Sequence, residues 1–205
     1  MTDTSDRILQ ATVEAAALYG LRRLSVADVA KRAGMSRPTL YKHFASKDLL
    51  IAAAVQREAS VMAEAVRVVV DGIDDPHAAL EAGILAGLRL VRDHPLLDRI
   101  VRTEPELLVP LLTTDAGPVT GALRRPVEEM VASRYPGLDQ VAVRRLADVL
   151  VRLLVSYGLN APDDPPEVVA ACIATVLVGG AASLGTLAPV PALAAAVPPV
   201  HEGVR

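Results

Sequence analysis

Residues 25–44, SVADVAKRAGMSRPTLYKHF, form the stretch that decides the fold. Ser25 and Ser36 each precede a run with apolar residues at helical spacing, and serine is a strongly preferred residue at a helix N-cap. Asp28 follows Ser25 by three residues, which is the spacing of a capping box. Gly34 lies between the two runs and supplies the left-handed backbone that ends a helix. The pattern predicts two short helices joined by a tight turn, which is a helix-turn-helix.

The second helix of this pair carries side chains suited to DNA. In a helix-turn-helix it enters the major groove with its N-terminal residues facing base edges, while the first helix crosses the phosphate backbone. Arginine, lysine and threonine can bond base edges or phosphates, and tyrosine and histidine can bond phosphate oxygens. Leu40 and Phe44 are four residues apart and take the buried face. The residues predicted to contact DNA are Ser25, Ser36, Arg37, Pro38, Thr39, Tyr41, Lys42, His43 and Lys47.

The charge of the chain is distributed unevenly. The net charge is −3, but residues 1–60 contain nine Lys/Arg and six Asp/Glu. Residues 22–47 contain seven basic residues and one acidic residue. A local positive excess attracts a polyanion such as DNA, although ordinary solvated surfaces also show such excesses.

Nearly every other segment also has helical periodicity, and no run alternates apolar and polar residues as a half-buried strand does. We therefore expect an all-α fold. The first helix is predicted over Asp6–Tyr19, with its inward face formed by Ile8, Ala11, Ala15, Leu18 and Tyr19. Two longer helices are predicted near the end, over Asp139–Tyr157 and Pro166–Leu184.

The segment ILQATVEAAALYGLRRLSVADVAKRAGMSRPTLYKHFASKDLLIAAA, residues 8–54, resembles the N-terminal domain of the TetR (tetracycline repressor) family without a gap. The remainder resembles that family by layout and not by motif. The resemblance implies a larger helical domain that binds a small molecule and dimerises through its last two long helices. The expected division is a helix-turn-helix domain at 1–50, an effector-binding and dimerisation domain at 51–188, and a Pro/Ala-rich, disordered tail at 189–205.

The function implied is that of a transcriptional regulator. We expect a repressor that binds a palindromic DNA operator as a homodimer and is released by a small-molecule effector. A helix-turn-helix adaptor that responds to no effector is the alternative.

The last long helix is unusual because no charged residue occurs from Val168 to Val200. Such a run can span a membrane, but small residues dilute it and prolines begin at Pro189. A buried interface helix explains the composition better, since small residues let a partner helix approach closely. The residues predicted for the dimer interface are Val149, Leu153, Ile173, Val176, Leu177 and Gly180.

The central segment has few aromatic residues, so a cavity there would be aliphatic and would favour a flexible, apolar effector. Packed core residues have the same composition, and their spacing does not distinguish them from a cavity wall. Arg99, Arg102 and Glu104 are candidates for a polar handle. The residues predicted to line the cavity are Met62, Leu85, Leu88, Leu108, Leu112, Val127 and Met130.

An enzyme has little support in the sequence. The histidines have no partner at metal-ligand spacing, no glycine-rich phosphate loop occurs, and Cys172 has no basic neighbour to activate it. We expect no catalytic residue, no cofactor and no metal. A single cysteine and the absence of a signal-peptide pattern at the N-terminus predict a cytoplasmic protein.

Overall fold

The computed structural model describes residues 4–107 and 117–184, and leaves out the side chains of 117–120 and 181–184. Over these residues the chain is helical and contains no strand, which confirms the all-α prediction. A short 3₁₀ turn, Pro105–Leu107, follows the sixth helix. The helices are α1 (Thr4–Tyr19), α2 (Val26–Arg32), α3 (Arg37–His43), α4 (Lys47–Asp71), α5 (Pro76–Arg92), α6 (Pro95–Thr103), α7 (Gly117–Arg134), α8 (Gln140–Leu159) and α9 (Pro166–Leu184).

The predicted starts of α2 and α3 are confirmed by their caps, and α4 begins with a cap of the same kind. The hydroxyl oxygens of Ser25, Ser36 and Ser46 each accept a hydrogen bond from the backbone N–H three residues later, at 3.2, 3.3 and 3.2 Å. These bonds satisfy N–H groups that have no partner inside the helix. Gly34 adopts φ +67° in the turn between α2 and α3, a conformation that side chains with a Cβ rarely adopt.

Two apolar clusters organise the described residues. The first joins α1, α2 and α3 to the start of α4 and is built around Ile8, Leu40 and Leu50. Leu18 and Tyr19 do not join it, so the predicted inward face of α1 was wrong at its last turn. Both side chains are exposed, because Ala15 and Ala16 occupy the inward positions there. The tight packing of alanines brings α1 close to its neighbours.

The second cluster lies among α5, α7, α8 and α9, with Leu88 fully buried in it. Helix α4 is a single helix that packs on α1 at one end and on α5 and α7 along the rest. It therefore crosses the predicted division at residue 50. The predicted tail at 189–205, the end of the segment 51–188, and the cavity residues Leu108 and Leu112 lie outside the described residues.

Candidate DNA-binding surface and effector cavity

Helix α3 presents one polar, exposed face. Leu40 is fully buried and anchors the helix, and Phe44 is half-buried against the same cluster. The remaining side chains of α3 and its cap point to solvent, because a seven-residue helix held by one buried leucine leaves its other faces free. The exposed residues are Ser36, Arg37, Pro38, Thr39, Tyr41, Lys42 and His43.

The cations on α3, Arg37 and Lys42, differ in their ion pairing from Arg32 on the neighbouring helix α2. Arg32 pairs with Glu14 at 3.1 Å, and its charge is thereby compensated. Among residues 4–107 and 117–184, no carboxylate pairs with Arg37 or Lys42. Two exposed cations without a counter-charge on one short helix are suited to a polyanion.

Five of the predicted contact residues already have partners within the chain, and one of them is His43, whose Nδ1 lies 3.4 Å from the hydroxyl oxygen of Ser5. The Ser25 hydroxyl bonds the carboxylate of Asp28, and the Ser36 hydroxyl lies 2.8 Å from that of Thr39. The Lys47 ammonium donates to the carbonyl of Leu21 at 3.4 Å. Lys47 is thus held at the start of α4, directly beside α3.

An apolar cavity of about 110 Å³ lies between α4, α5, α7 and α8. Met62, Val127 and Met130 line it, as the sequence indicated. Leu85 and Leu88 do not, because they belong to the adjacent packed core of the second cluster. The residues that sequence reasoning missed are mostly small or aliphatic: Ala63, Val66, Val70, Ala79, Leu80, Gly83, Ile84, Gly87, Leu90, Val91, Leu123, Val131, Leu150, Leu154 and Val155.

The polar side chains at the cavity boundary bond backbone carbonyls. The Tyr135 hydroxyl donates to the carbonyl of Pro76 at 3.0 Å, and burial, with a smaller contribution from Asp75, raises the pKa of Tyr135 above its usual value. The Arg134 guanidinium donates to the carbonyl of Ile73 at 2.5 Å and also to that of Val70. Within the described part of the chain, no group of three or more His, Cys, Asp or Glu side chains is placed to hold a metal ion.

A buried carboxylate connects the end of α6 to the turn between α1 and α2. Glu104, just after α6, accepts hydrogen bonds from the backbone N–H groups of Leu21 and Arg22 at 2.9 and 3.4 Å. Arg22 also pairs with Glu106 at 3.0 Å. Glu104 was considered a handle for the effector, but it lies at this junction and does not line the cavity. No local sequence signal reveals such a contact, because the bonded groups are 82 and 83 residues apart.

A second junction joins α4 to α1 and α6. Arg57 donates to Asp6 at 2.5 Å, and this bond raises the pKa of the guanidinium. Glu58 faces His94, the N-cap residue of α6, at 3.1 Å. Helix α4 is therefore held by polar contacts to both neighbours.

Helix α9 has one face in the core and one face in solvent. Ile173 and Leu177, predicted for the dimer interface, are 7% and 8% exposed within their own chain, because that side of α9 packs on α5. Val149 on α8 and Val176 on α9 are exposed, and Leu153 is half-buried. The uncharged exposed residues of α9 are Val168, Cys172, Thr175, Val176, Gly179 and Gly180. None of the helices in the described ranges is both long and apolar enough to cross a membrane.

Comparisons with known proteins agree with this architecture. The model of the tetR family of bacterial regulatory proteins matches residues 8–54, and that of the tetracyclin repressor C-terminal domain matches residues 75–179. An HTH-type transcriptional regulator of Mycobacterium tuberculosis is 30% identical over 158 residues, which cover 74% of this chain and 73% of the relative. The HTH-type transcriptional activator FasR of Mycolicibacterium smegmatis is 28% identical over 144 residues, covering 69% and 65% of the two chains.

The fold also matches a solved structure. The TetR family repressor AlkX from a Dietzia strain, implicated in biodegradation of n-alkanes, superimposes with a TM-score of 0.71 at 24% identity. The match covers 87% of this chain and 98% of AlkX. The exposed α3 of a helix-turn-helix, the helical domain behind it and both family matches lead to one conclusion: the chain belongs to the TetR family of DNA-binding transcriptional regulators, which are not enzymes.

Proposed function

We propose that this regulator is a repressor that binds a palindromic operator as a homodimer and leaves it when an apolar effector fills the cavity between α4, α5, α7 and α8. The observation that carries the proposal is the continuity of α4. Its first residue, Lys47, follows the recognition helix α3 by four positions, and its second half lines the cavity. A straight helix of this length spans about 37 Å, so a shift at one end reaches the other.

The coupling has a thermodynamic form. In the proposed dimer, the two copies of α3 have one spacing on DNA and another off DNA. An effector that favours the second spacing by about 1–3 kcal/mol weakens operator binding about 5- to 150-fold. The contacts of Arg57 and Glu104 support this coupling, since both tie α1 or its following turn to helices near the cavity. Movement of α4 or α6 would therefore displace the helix-turn-helix.

The exposed face of α9 supports the homodimer. It carries no charged side chain between Glu167 and Gly180, and a Cβ added at Gly179 or Gly180 would meet no atom within 4 Å. These glycines are therefore not required by packing within the chain. They would let a partner helix approach closely and bury Val176 with Val149 on α8. A two-fold dimer matches a palindrome whose half-sites are about 34 Å apart, one turn of DNA.

The composition of the cavity supports an apolar effector. Its walls are aliphatic side chains, glycine and alanine, and the one aromatic ring, Tyr135, has its hydroxyl engaged. A flexible chain fits such walls better than a flat ring that needs stacking partners. AlkX, with the same fold, is implicated in n-alkane biodegradation, and it is a repressor, whereas FasR is an activator.

A promoter fusion tests whether this chain represses or activates transcription. Because we propose a repressor, deletion of its gene should raise expression from the fused promoter.

The base contact expected of Arg37 on α3 and the phosphate contact expected of Lys47 at the start of α4 should respond differently to mutation. Arg37→Ala should relax base specificity and cost about 1–3 kcal/mol on the selected operator. Lys47→Ala should weaken binding to all sequences alike and lower the slope of affinity against salt by about one contact. Gel shifts on an operator selected from random DNA, repeated at several salt concentrations, measure both effects.

A matched control for both variants is Arg102→Ala on α6. It removes the same charge from an exposed residue that pairs only with Asp98 in its own helix. It should leave DNA binding unchanged. If Arg37→Ala behaves as Arg102→Ala does, α3 is not the recognition helix. The same result for Lys47→Ala would exclude the start of α4 from the DNA-binding surface.

The adaptor without an effector is distinguished by ligand screening. A library of apolar and amphiphilic compounds is tested for an increase in Tm, and each hit is then tested for release of the operator. A hit that stabilises the protein and releases DNA supports the repressor. If operator affinity is unchanged by every compound that stabilises the protein, the adaptor is favoured.

A further inference from the structure

A second, wider space lies beside the apolar cavity, between α4 and α7. This space, here called the vestibule, has a volume of about 430 Å³. Four residues line both spaces: Ala63, Val70, Met130 and Arg134. Arg134 is the charged residue among them, and it is half-buried. A molecule that extends from the cavity into the vestibule therefore passes the Arg134 guanidinium.

The carboxylates around the vestibule already have cationic partners. Glu64 and Asp71 both pair with Arg67 on the same helix. Glu129 pairs with Arg125 at 3.0 Å, one turn away on α7. Each acidic side chain of the vestibule thus has an arginine partner other than Arg134, and Glu64 and Asp71 share theirs.

Arg134 differs from these arginines in the kind of acceptor it bonds. It donates to the carbonyl oxygens of Val70 and Ile73, which are neutral. Over residues 4–107 and 117–184, no carboxylate lies within ion-pair distance of its guanidinium. A guanidinium has five N–H donors in a planar fork that matches a carboxylate. Arg134 is therefore the charged side chain that lines both spaces, and within the described residues it makes no ion pair.

We propose that the effector is an amphiphile with an anionic head group, whose chain fills the apolar cavity and whose head group binds Arg134 in the vestibule. This inference rests on the proposed effector-release function and specifies its ligand. A carboxylate adds the attraction of opposite charges to the hydrogen bonds and can accept two parallel N–H bonds from one guanidinium. The head group thus competes with the carbonyls of Val70 and Ile73 for Arg134.

The same exchange links binding to α4. Val70 is the penultimate residue of α4, and Ile73 lies in the turn that follows. The Val70 carbonyl also accepts the backbone N–H of Ile73 at 3.1 Å, so Arg134 is an additional donor at this helix end. When the head group draws Arg134 away, the C-terminal end of α4 loses these hydrogen bonds to α7. Binding and displacement of α4 become one event.

The test compares ligands that differ in the head group only. Octanoate, decanoate and dodecanoate are titrated calorimetrically against the alcohols of equal chain length, below the concentrations at which they self-associate. At one chain length at least, the carboxylate should bind the wild-type protein about tenfold more tightly than its alcohol. Equal affinity for carboxylate and alcohol, or binding of no carboxylate, overturns the proposal. This comparison needs no variant.

Variants of Arg134 test whether this side chain causes the preference for the carboxylate over the alcohol. Arg134→Gln keeps an amide donor for the carbonyls but removes the charge, so it should lower carboxylate affinity about tenfold and change alcohol affinity less than about threefold. Arg134→Lys should retain the preference for the carboxylate. Arg102→Gln, on α6 and outside the lining of both spaces, should bind both ligands as the wild type does. Equal losses for both ligands in Arg134→Gln would contradict the assignment.

Release of the operator by these ligands distinguishes a failure of the head-group inference from a failure of the proposed effector function. If the alcohols release the operator and the carboxylates do not, the cavity still controls DNA binding and the head-group inference fails. If neither class nor any screened compound releases the operator, the proposed effector function itself fails.

Discussion

Replacing Val176 with arginine is expected to produce a monomer that binds the operator about 100-fold or more weakly than the wild-type protein does. Val176 is 67% exposed on α9, at the centre of the uncharged face proposed for the dimer. A buried arginine without a partner opposes association strongly, because its charge loses hydration. A monomer then binds one half-site, and the gain from linking two half-sites, about 10²- to 10⁴-fold, is lost.

The matched control for this prediction is Val68→Arg. Val68 is 64% exposed on α4, so the same charge is added to a valine of nearly equal exposure outside the proposed interface. Analytical ultracentrifugation should show a dimer for Val68→Arg and a monomer for Val176→Arg, with unchanged helix content for both. A Val176→Arg variant that remains dimeric and binds the operator normally would place the dimer interface elsewhere.

Replacing Gly20 with alanine is expected to lower the free energy of unfolding by about 2–5 kcal/mol. Gly20 adopts φ +83°, and left-handed backbone costs a residue with a Cβ about 1–2 kcal/mol. A Cβ at this position would also stand 2.6 Å from a carboxylate oxygen of Glu104. Relieving that overlap displaces a buried side chain, which costs about 1–3 kcal/mol more.

Gly34→Ala isolates the first contribution. Gly34 has a similar left-handed backbone, φ +67°, but an added Cβ meets no atom within 4 Å. Its cost should be the backbone strain of about 1–2 kcal/mol alone. Urea unfolding at one protein concentration compares the two variants, since dimerisation makes stability depend on concentration. Equal costs would mean that Glu104 moves away from Gly20 freely.

A double variant tests whether Glu104 is the cause. In the Glu104→Ala background, Gly20→Ala should cost only about 1–2 kcal/mol, because the obstructing carboxylate is absent. Glu104→Ala by itself should cost about 1–3 kcal/mol, since it leaves the N–H groups of Leu21 and Arg22 without their acceptor. A full cost in both backgrounds would exclude Glu104 as the source.

Local sequence signals were sufficient for the helix-turn-helix. Ser25, Ser36 and Gly34 set the limits of α2 and α3, because cap bonds and left-handed backbone depend on a few neighbouring residues. The spacing of Leu40 and Phe44 then decided which face of α3 packs inward. The exposed face that carries Arg37 and Lys42 follows from that choice.

The cavity was predicted only in part. Met62, Val127 and Met130 line it, whereas Leu88 packs in the adjoining core. All are apolar residues on amphipathic helices, and their pattern shows that they are buried but not which neighbour covers them. Gly83 and Gly87 help to form the wall by lacking side chains, a contribution that apolar periodicity does not reveal.

The sequence by itself determined the all-α fold, the helix-turn-helix and the exposed face of α3, since each depends on caps, turns and periodicity among residues close together in the chain. The tertiary structure alone decided that Ile173 belongs to the core and Val176 to the surface, because both faces of α9 are apolar. It also decided that Glu104 bonds Leu21 and that Arg134 bonds the end of α4. These polar contacts join groups more than sixty residues apart, and only the packing of helices brings them together.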